Sequence, residues 1–431
     1  MKVLVAGGGA AGMIAAWRAA AAGFETTLLE ANDRLGMKIR ISGGGKCNIT
    51  HDGPMAAVLA AFPKAQARFL RPALHAFTNQ DVLDLLAREG VHAQARDNGR
   101  VFPVDGPGSA AKVTAAFEAV VRRAGVQVRL GARVRALEGA APALAALLME
   151  DGTRLRADRF ILATGGASYP RTGTRGEILA ALGALGVPVS PWFPALAPIP
   201  LRTPRPGWEG VALREGALVL KAGPGGRVLD RFRGDLLFTR TGISGPAALE
   251  LSRPAEAARR AGAAWLGYDL GAGDVDGDLV GLQQSNPHLA VRTWLGRWLP
   301  ERVCAPVLAE RGIALDQRMK DLPRAARKDL AALLESFPLG EPGRVDLEKG
   351  EVSAGGVLLS AVDPRTMAVK GWENLRVCGE LLDVDGPVGG YNLQAAFSTG
   401  YLAGGRKALS LSFLSGRPRW ATTPAYPTKS G

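Results

Sequence analysis

The chain has 431 residues, enough for two or three domains, and its 47% hydrophobic and 22% charged residues are ordinary for a soluble globular protein. Three scattered cysteines and four histidines at no ligand spacing exclude a disulfide framework and a zinc site, and no apolar run is long enough to cross a bilayer; with no secretory leader expected, a cytoplasmic protein without membrane or metal is the expectation. The formal net charge of +13 fits either an arginine-rich surface or attraction to a polyanion such as RNA, with no arginine block to decide between them.

Lys2–Ala6 reads as a short buried strand, followed at once by Gly7-Gly8-Gly9-Ala10-Ala11-Gly12 and an Ala-rich helix over Met13–Ala22. Gly23 stops that helix, and Glu25–Leu29 reads as a second strand ending in Glu30. Strand, glycine turn, helix, strand and acid in this order form the dinucleotide-binding fingerprint. Gly7 permits the tight turn, Gly9 lets the backbone approach a pyrophosphate, and Gly12 lets helix and strand pack closely. Ala10 and Ala11 stand at the helix start, whose unpaired N–H groups and positive dipole end attract an anion. Glu30 falls about 20 residues beyond the turn, where a carboxylate accepts from the adenosine ribose hydroxyls.

Asp33–Thr50 is the second informative stretch. Its Gly43-Gly44-Gly45 triplet is flanked by Lys38, Arg40 and Lys46, with Ser42, Cys47 and Asn48 alongside. Such a segment is either a solvated loop or one that runs its backbone along a phosphate chain and adds hydroxyl and ammonium donors. Helices are then expected over Ala65–Phe77, Gln80–Arg88 and Ala110–Ala124, with an extended Arg100–Pro103 exposing a base. Gly125–Leu130 and Arg133–Leu137 alternate as strands, and Val134 could pair with an adenine edge through its backbone. A hairpin about Asp151-Gly152 precedes an apolar strand from Arg159, which ends in the small-residue turn Ala163-Thr164-Gly165-Gly166 and so allows close approach of a second cofactor segment.

The prolines from Pro191 to Pro206 read as a linker that cannot be helical. Strands follow over Val211–Leu220 and Gly226–Arg233, then a strand from Asp235 leading into a polar glycine-rich loop and a helix at Ala247–Ser252. Residues 254–338 read as mostly helical, with Trp294 and Trp298 in the core. Leu375–Glu380 reads as a strand ending in Gly379-Glu380; a loop then leads to Gly389–Gln394, which opens a small-residue helix over Ala395–Leu409. The tail from Ser410 is expected to be disordered.

The N-terminal fingerprint alone suits NAD, NADP or FAD. Gly379-Glu380 and the turn around Gly390, Asn392 and Leu393 look like the closing half of a glutathione-reductase-type flavoprotein. The resemblance is closer than fold level: SGGGKCNIT at 42–50, TRTGISGP at 239–246, VSAGGV at 352–357 and GELLDVDGPVGGYNLQAAFSTG at 379–400 resemble the HI0933-like flavoproteins. That family includes NAD(P)/FAD-dependent oxidoreductases related to a bile-acid-inducible reductase, to ribosomal RNA dihydrouridine synthase and to aminoacetone oxidase. The resemblance implies an α/β fold whose FAD-binding Rossmann domain is made from both chain ends, here 1–190 and 339–409. An inserted β-barrel part at 191–253, a helical part at 254–338 and a tail at 410–431 complete the expected division. It also implies FAD contacts at Gly7, Gly9, Gly12, Glu30, Lys38, Ser42–Gly44, Cys47, Asn48, Gly379, Glu380, Gly390, Asn392 and Leu393. Where the family commonly has Arg before the Cys-Asn pair, this chain has Lys46; after Thr366-Met367 it has Ala368-Val369-Lys370 in place of an acidic-Ser-Lys run.

Disulfide reductases place a C-x4-C pair where Cys47 stands, but the partner position here is Asp52, so Cys47 reads as a packing residue beside the flavin. Thr239, Arg240 and Tyr391 are the candidates for the substrate side. The leading reading is an FAD enzyme reduced by transiently bound NAD(P)H that passes hydride through flavin N5 to a conjugated C=C bond. That bond belongs to a small molecule or, in one form of the reading, to uridine in RNA. The alternatives are an amine oxidase using O2 and a non-catalytic flavoprotein that binds RNA or a partner.

Overall fold

The computed structural model describes residues 1–405. Its centre is a five-stranded sheet in the order Leu375–Val377, Arg159–Leu162, Lys2–Ala6, Glu25–Leu29 and Gln127–Arg129. All its pairings are parallel, with Val5 opposite both Ile161 and Leu28, and Phe160 opposite Leu375. Strands covered on both faces read as continuous apolar runs, and Val3, Val5, Phe160, Ile161 and Leu162 are accordingly buried. The strand at 375–377 belongs to this sheet, so the two ends of the chain share one layer.

The first helix (Ala10–Ala21) and the last (Tyr391–Gly404) pack side by side. Glycine makes this possible: a Cβ on Gly400 would lie 2.3 Å from the Ala11 carbonyl oxygen, and one on Gly404 would lie 2.6 Å from that of Ala15. Because 400 pairs with 11 and 404 with 15, the helices run parallel. The last helix starts nine residues before Gly400 and the first only one before Ala11, so the N-terminus of the last projects about 12 Å beyond that of the first.

The middle of the chain builds a second core around Tyr268, Trp294 and Phe337, distinct from the core of the central sheet. Four readings are corrected there. The proline-rich stretch does not stay a linker: Val189–Ala195 is a strand paired antiparallel with Val352–Val357, with a register shift between Ser190 and Phe193. A two-stranded ribbon has open edges, where a residue lacking an N–H is tolerated. The helix after the glycine-rich segment is Pro246–Arg260, well past Ser252. Residues 254–338 carry the helices Val275–Ser285, Val291–Leu295, Glu301–Ala309 and Arg324–Glu335, but also the strand Trp265–Asp269. That strand joins Ala217–Lys221, Val228–Arg233 and Phe337–Gly340 in a four-stranded antiparallel sheet. A second four-stranded sheet contains Leu236–Thr239 and Gly242–Ser244, so the expected polar loop is a tight hairpin turn.

Trp294 is buried, with its ring centroid 5.1 Å from that of Trp298. Among the described residues no helix is long and apolar enough to cross a membrane, and no cluster of acidic, His or Cys side chains could hold a metal ion. The last turn of the expected C-terminal helix and the tail from Ser410 lie outside the described residues.

Candidate cofactor and substrate site

The three fingerprint glycines have different reasons to be glycine. Gly7 has φ +101°, and a Cβ there would lie 2.4 Å from the Ala163 carbonyl oxygen; a Cβ on Gly12 would lie 1.7 Å from that of Gly7. Both are demanded by the chain's own packing. Gly9 is extended, with φ −81° and ψ −165°, and a Cβ there would meet nothing within 4 Å. It faces a cavity of about 140 Å³ together with Ala10, Ala11, Val134, Thr164 and Gly165. The first helix has no side-chain cap at Gly9, so its first-turn N–H groups are available to a ligand. Glu30, at the same cavity, is buried and fixed: Oε2 accepts from Gly8 N–H (2.7 Å), and Oε1 accepts from the backbone and side-chain nitrogens of Asn32 (2.8 and 2.6 Å). Each carboxylate oxygen retains lone-pair capacity beyond these bonds.

A larger cavity of about 550 Å³ adjoins the first; Lys38, Glu380 and Ala396 line both. Its volume lies in the range of ligand sites, ~300–1,000 Å³. At the junction Lys38 Nζ donates to Glu380 Oε2 and Ser168 Oγ, both at 2.8 Å, while Glu380 Oε1 accepts from Ser353 N–H (2.8 Å) and Ser168 Oγ (3.3 Å). Ser42, Gly43, Gly44, Asn48, Gly379, Gly390, Asn392 and Leu393 line the larger cavity. The glycine triplet ends the helix Met37–Gly45 rather than forming a free loop. Ser42 leaves the helical region with ψ 144°, and Gly43 and Gly44 turn left-handed at φ +56° and +66°.

Gly390 caps the last helix at φ +92° with no side-chain cap, and a Cβ there would lie 2.3 Å from the Thr50 carbonyl oxygen. With its amide oriented to satisfy both ends, Asn48 accepts from Gly390 N–H at 3.0 Å and donates to Thr50 O at 3.2 Å. Asn392 clamps the preceding loop, accepting from Gly386 N–H and donating to Gly386 O, both at 2.8 Å. Two uncapped helix starts, offset by about 12 Å along one direction, therefore face one continuous lining with open space at Gly9 and Gly44. This arrangement fits an elongated dinucleotide with a central pyrophosphate, as in FAD.

Several sequence candidates stand elsewhere. Lys46 is exposed and lines neither cavity, although its carbonyl accepts from Ser109 Oγ at 2.9 Å. Thr239 ends a strand and Arg240 opens the hairpin turn, and neither lines a cavity; Thr239 Oγ1 accepts from Gly242 N–H at 3.2 Å. Tyr391 stacks on His51 at 4.5 Å and meets the edge of Phe62 at 6.0 Å, next to the cavity but not on its lining.

Cys47 is fully buried at φ +58°, and burial pushes its thiol up to about 11; burial likewise pushes Cys304 to about 11 and Cys378 to about 12. All three are free thiols. The native protein is therefore expected to react with no thiol-specific alkylating reagent at neutral pH, and with three equivalents once unfolded. Rapid native labelling of Cys47 would contradict its burial. Below the ordinary thiol range both the folded and the unfolded chain hold the proton. As pH rises from about 9 toward 11, only the unfolded chain ionises, and the native state loses stability.

Sequence reasoning passed over Tyr169, Leu196 and Glu351, and saw in Arg100 only an exposed base. All four line the larger cavity, as does Phe102. The available signal was adjacency: Tyr169 follows the 163–166 turn, and Glu351 immediately precedes VSAGGV. Glu351 is open to the cavity yet ringed by protein at longer range; burial raises its carboxyl above the usual range, with the Arg100 charge acting against that. Burial also raises Tyr169, and the Glu351 charge adds to the effect.

The HI0933-like protein Rossmann domain model matches residues 1–406. The chain is 30% identical to a 3-dehydro-bile acid delta(4,6)-reductase of Clostridium scindens, over 94% of this chain and 98% of that one. It is 28% identical to a ribosomal RNA dihydrouridine synthase of Haemophilus influenzae, over 95% and 98%. Among solved structures, a 3-ketosteroid delta1-dehydrogenase from Sterolibacterium denitrificans superposes with a TM-score of 0.51 over 93% of this chain and 98% of that one, at 15% identity. At that identity the likeness shows the fold alone, a Rossmann domain of the FAD-binding type. With the family model spanning the described residues and the fingerprint in place, the chain belongs to the HI0933-like family of FAD-dependent oxidoreductases.

Proposed function

We propose that this protein reduces a C=C bond conjugated to a carbonyl, with NAD(P)H as the hydride source and FAD as the carrier. The observation that carries the reading is the 550 Å³ cavity, which runs from Gly390 and Leu393 at the last helix start to Arg100 and Glu351 on other elements. That leaves room for a second molecule beside a flavin. The names of the two relatives point the same way, since dihydrouridine formation and delta(4,6) reduction both saturate a C=C bond.

In this reading Gly7, Gly9, Ala10, Ala11, Gly12, Glu30, Val134, Thr164 and Gly165 hold the adenosine and pyrophosphate half. Lys38, Ser42–Gly44, Asn48, Gly379, Glu380, Gly390, Asn392 and Leu393 hold the other half, with Cys47 packing behind them and Lys46 adding positive charge nearby. When bound, FAD supplies the two-electron chemistry. The residues supply the rest: the last helix start favours negative charge, and the apolar lining of Leu196, Leu249 and Val388 limits water. The insert from 191 to 338 covers a cofactor domain made from both chain ends. NAD(P)H enters by the open side of the same cavity, because no second fingerprint exists in the chain. The charge of +13 supports an RNA substrate as one form of this reading, in a reducing cytoplasm where three thiols stay free.

Anaerobic addition of NADH or NADPH to the FAD-loaded protein is expected to bleach the flavin absorbance within seconds. Failure of both, with bleaching by a primary amine instead, would overturn the reductase reading. An RNA substrate adds steep salt dependence of binding; an affinity that stays flat between low and moderate salt would remove RNA.

A further inference from the structure

Five non-glycine residues adopt positive φ among the described residues, and two of them, Tyr169 (+50°) and Leu196 (+48°), line the larger cavity. A bulky side chain holds that backbone conformation only where its surroundings impose it, and such outliers gather at ligand sites. Arg100 arrives at the same cavity from the strand Arg100–Pro103, and Glu351 from the residue before the strand Val352–Val357. Among the described residues the Arg100 guanidinium makes no hydrogen bond and no ion pair; the charges of Glu250 and Glu351 and the Tyr391 hydroxyl interact with it at longer range. Glu250 is otherwise committed, since its Oε1 accepts from Val388 N–H at 2.6 Å. A guanidinium beside a cavity with no partner of its own is set to bind an oxygen that the cavity will bring.

We propose that Arg100 binds the carbonyl oxygen of the substrate and that Glu351, beside it on the cavity wall, delivers the proton that completes reduction. The inference rests on the reductase reading above. A conjugated ketone that accepts a hydride at its β carbon carries the negative charge on its carbonyl oxygen, where the Arg100 N–H groups stabilise it. The Glu351 carboxylic acid then protonates the α carbon as the carbonyl re-forms. The C=C bond has gained one hydride and one proton, and the carboxylate left behind regains its proton from solvent through the open cavity. Burial, which raises the carboxyl, favours the protonated form needed at the start. The neighbouring wall of Leu196, Leu249 and Val352 suits a flat ring carrying the carbonyl.

The test uses the FAD-loaded full chain and p-nitrophenol, whose colour reports whether it is bound as the phenolate, an analogue of the charged oxygen. The wild type is expected to lower the ionisation pH of the bound phenol by about one unit, an approximately tenfold stabilisation of the phenolate. Glu351→Gln, which puts a neutral amide in place of the protonated acid, is expected to leave the shift unchanged. Arg100→Met is expected to abolish the shift while retaining flavin, and Arg100→Lys to keep part of it; the exposed Arg227→Met should leave it unchanged. Tyr169, Glu250 and Tyr391 face the same pair and remain in every variant. No binding by the wild type, or a full shift in a flavin-containing Arg100→Met protein, overturns the proposal. If Arg100→Met does not fold, a shift in Arg100→Lys no larger than in buffer overturns it equally. Flavin content and bleaching by NAD(P)H in the wild type report separately on the reductase reading.

Discussion

Gly9→Asp is expected to yield an apoprotein at least as stable as the wild type whose affinity for FAD has fallen by at least about 100-fold, roughly 2.7 kcal/mol. The two effects separate because the chain's own packing does not demand glycine at position 9, whereas the proposed pyrophosphate does. The Gly9 backbone is extended, which any residue adopts, and a Cβ would meet nothing within 4 Å. Asp is also a better helix cap than Gly by a few tenths of a kcal/mol, and it complements the positive end of the helix. The same carboxylate stands where a pyrophosphate would sit, so it fills the space and repels the charge. Gly12→Ala should do the opposite. Its Cβ would lie 1.7 Å from the Gly7 carbonyl oxygen, which the turn cannot accommodate without moving. A loss of more than about 3 kcal/mol is expected, in the range of severe overpacking. Thermal unfolding of the apoproteins and FAD titration distinguish the pair; equal FAD affinity in Gly9→Asp and wild type would remove the pyrophosphate from this turn.

Glu380→Ala is expected to destabilise the protein by roughly 2–4 kcal/mol and to lower its flavin content. The carboxylate receives Lys38, Ser353 N–H and Ser168 Oγ, and its side chain is only 16% exposed. Removing one member of a mostly buried pair leaves the other charge without compensation, typically costing ~3–5 kcal/mol; the Lys38 side chain is 27% exposed and recovers part of that from water. The buried Ser353 N–H also loses its acceptor. Glu380→Gln keeps one acceptor oxygen and should cost less. Urea unfolding reads both; a change below about 0.5 kcal/mol for Glu380→Ala would mean that the ion pair is solvated.

The glycine turns at the two cavities were legible because their geometry is local. The turn from Gly7 to Gly12, the strand to Glu30 and the small-residue helix after Gly390 each have a spacing that backbone geometry imposes. The pairing of Gly379-Glu380 with the N-terminal turn was also visible, and the sheet places Leu375–Val377 two strands from Lys2–Ala6. The far wall of the larger cavity was not legible, because it is assembled from single residues whose neighbours in sequence do other things. Arg100, Tyr169 and Glu351 come from three elements, and no periodicity announces their convergence. Arg240 looked functional through its glycine-rich setting, yet the glycine there serves a hairpin: a Cβ on Gly242 would lie 2.2 Å from the Ile199 carbonyl oxygen. Proline density from 191 onward signalled the absence of helix but not the edge strand that replaced it.

One dinucleotide lying across both cavities, held by glycine turns from opposite ends of the chain, is the centre of the proposed function. The most direct measurement is the cofactor released by denaturing the purified full-length protein, identified by chromatography and quantified against protein. One FAD per chain is expected, with the content falling in Gly9→Asp at the N-terminal turn and in Glu380→Ala at the other end. A colourless protein that takes up no FAD when supplied with it would contradict the account.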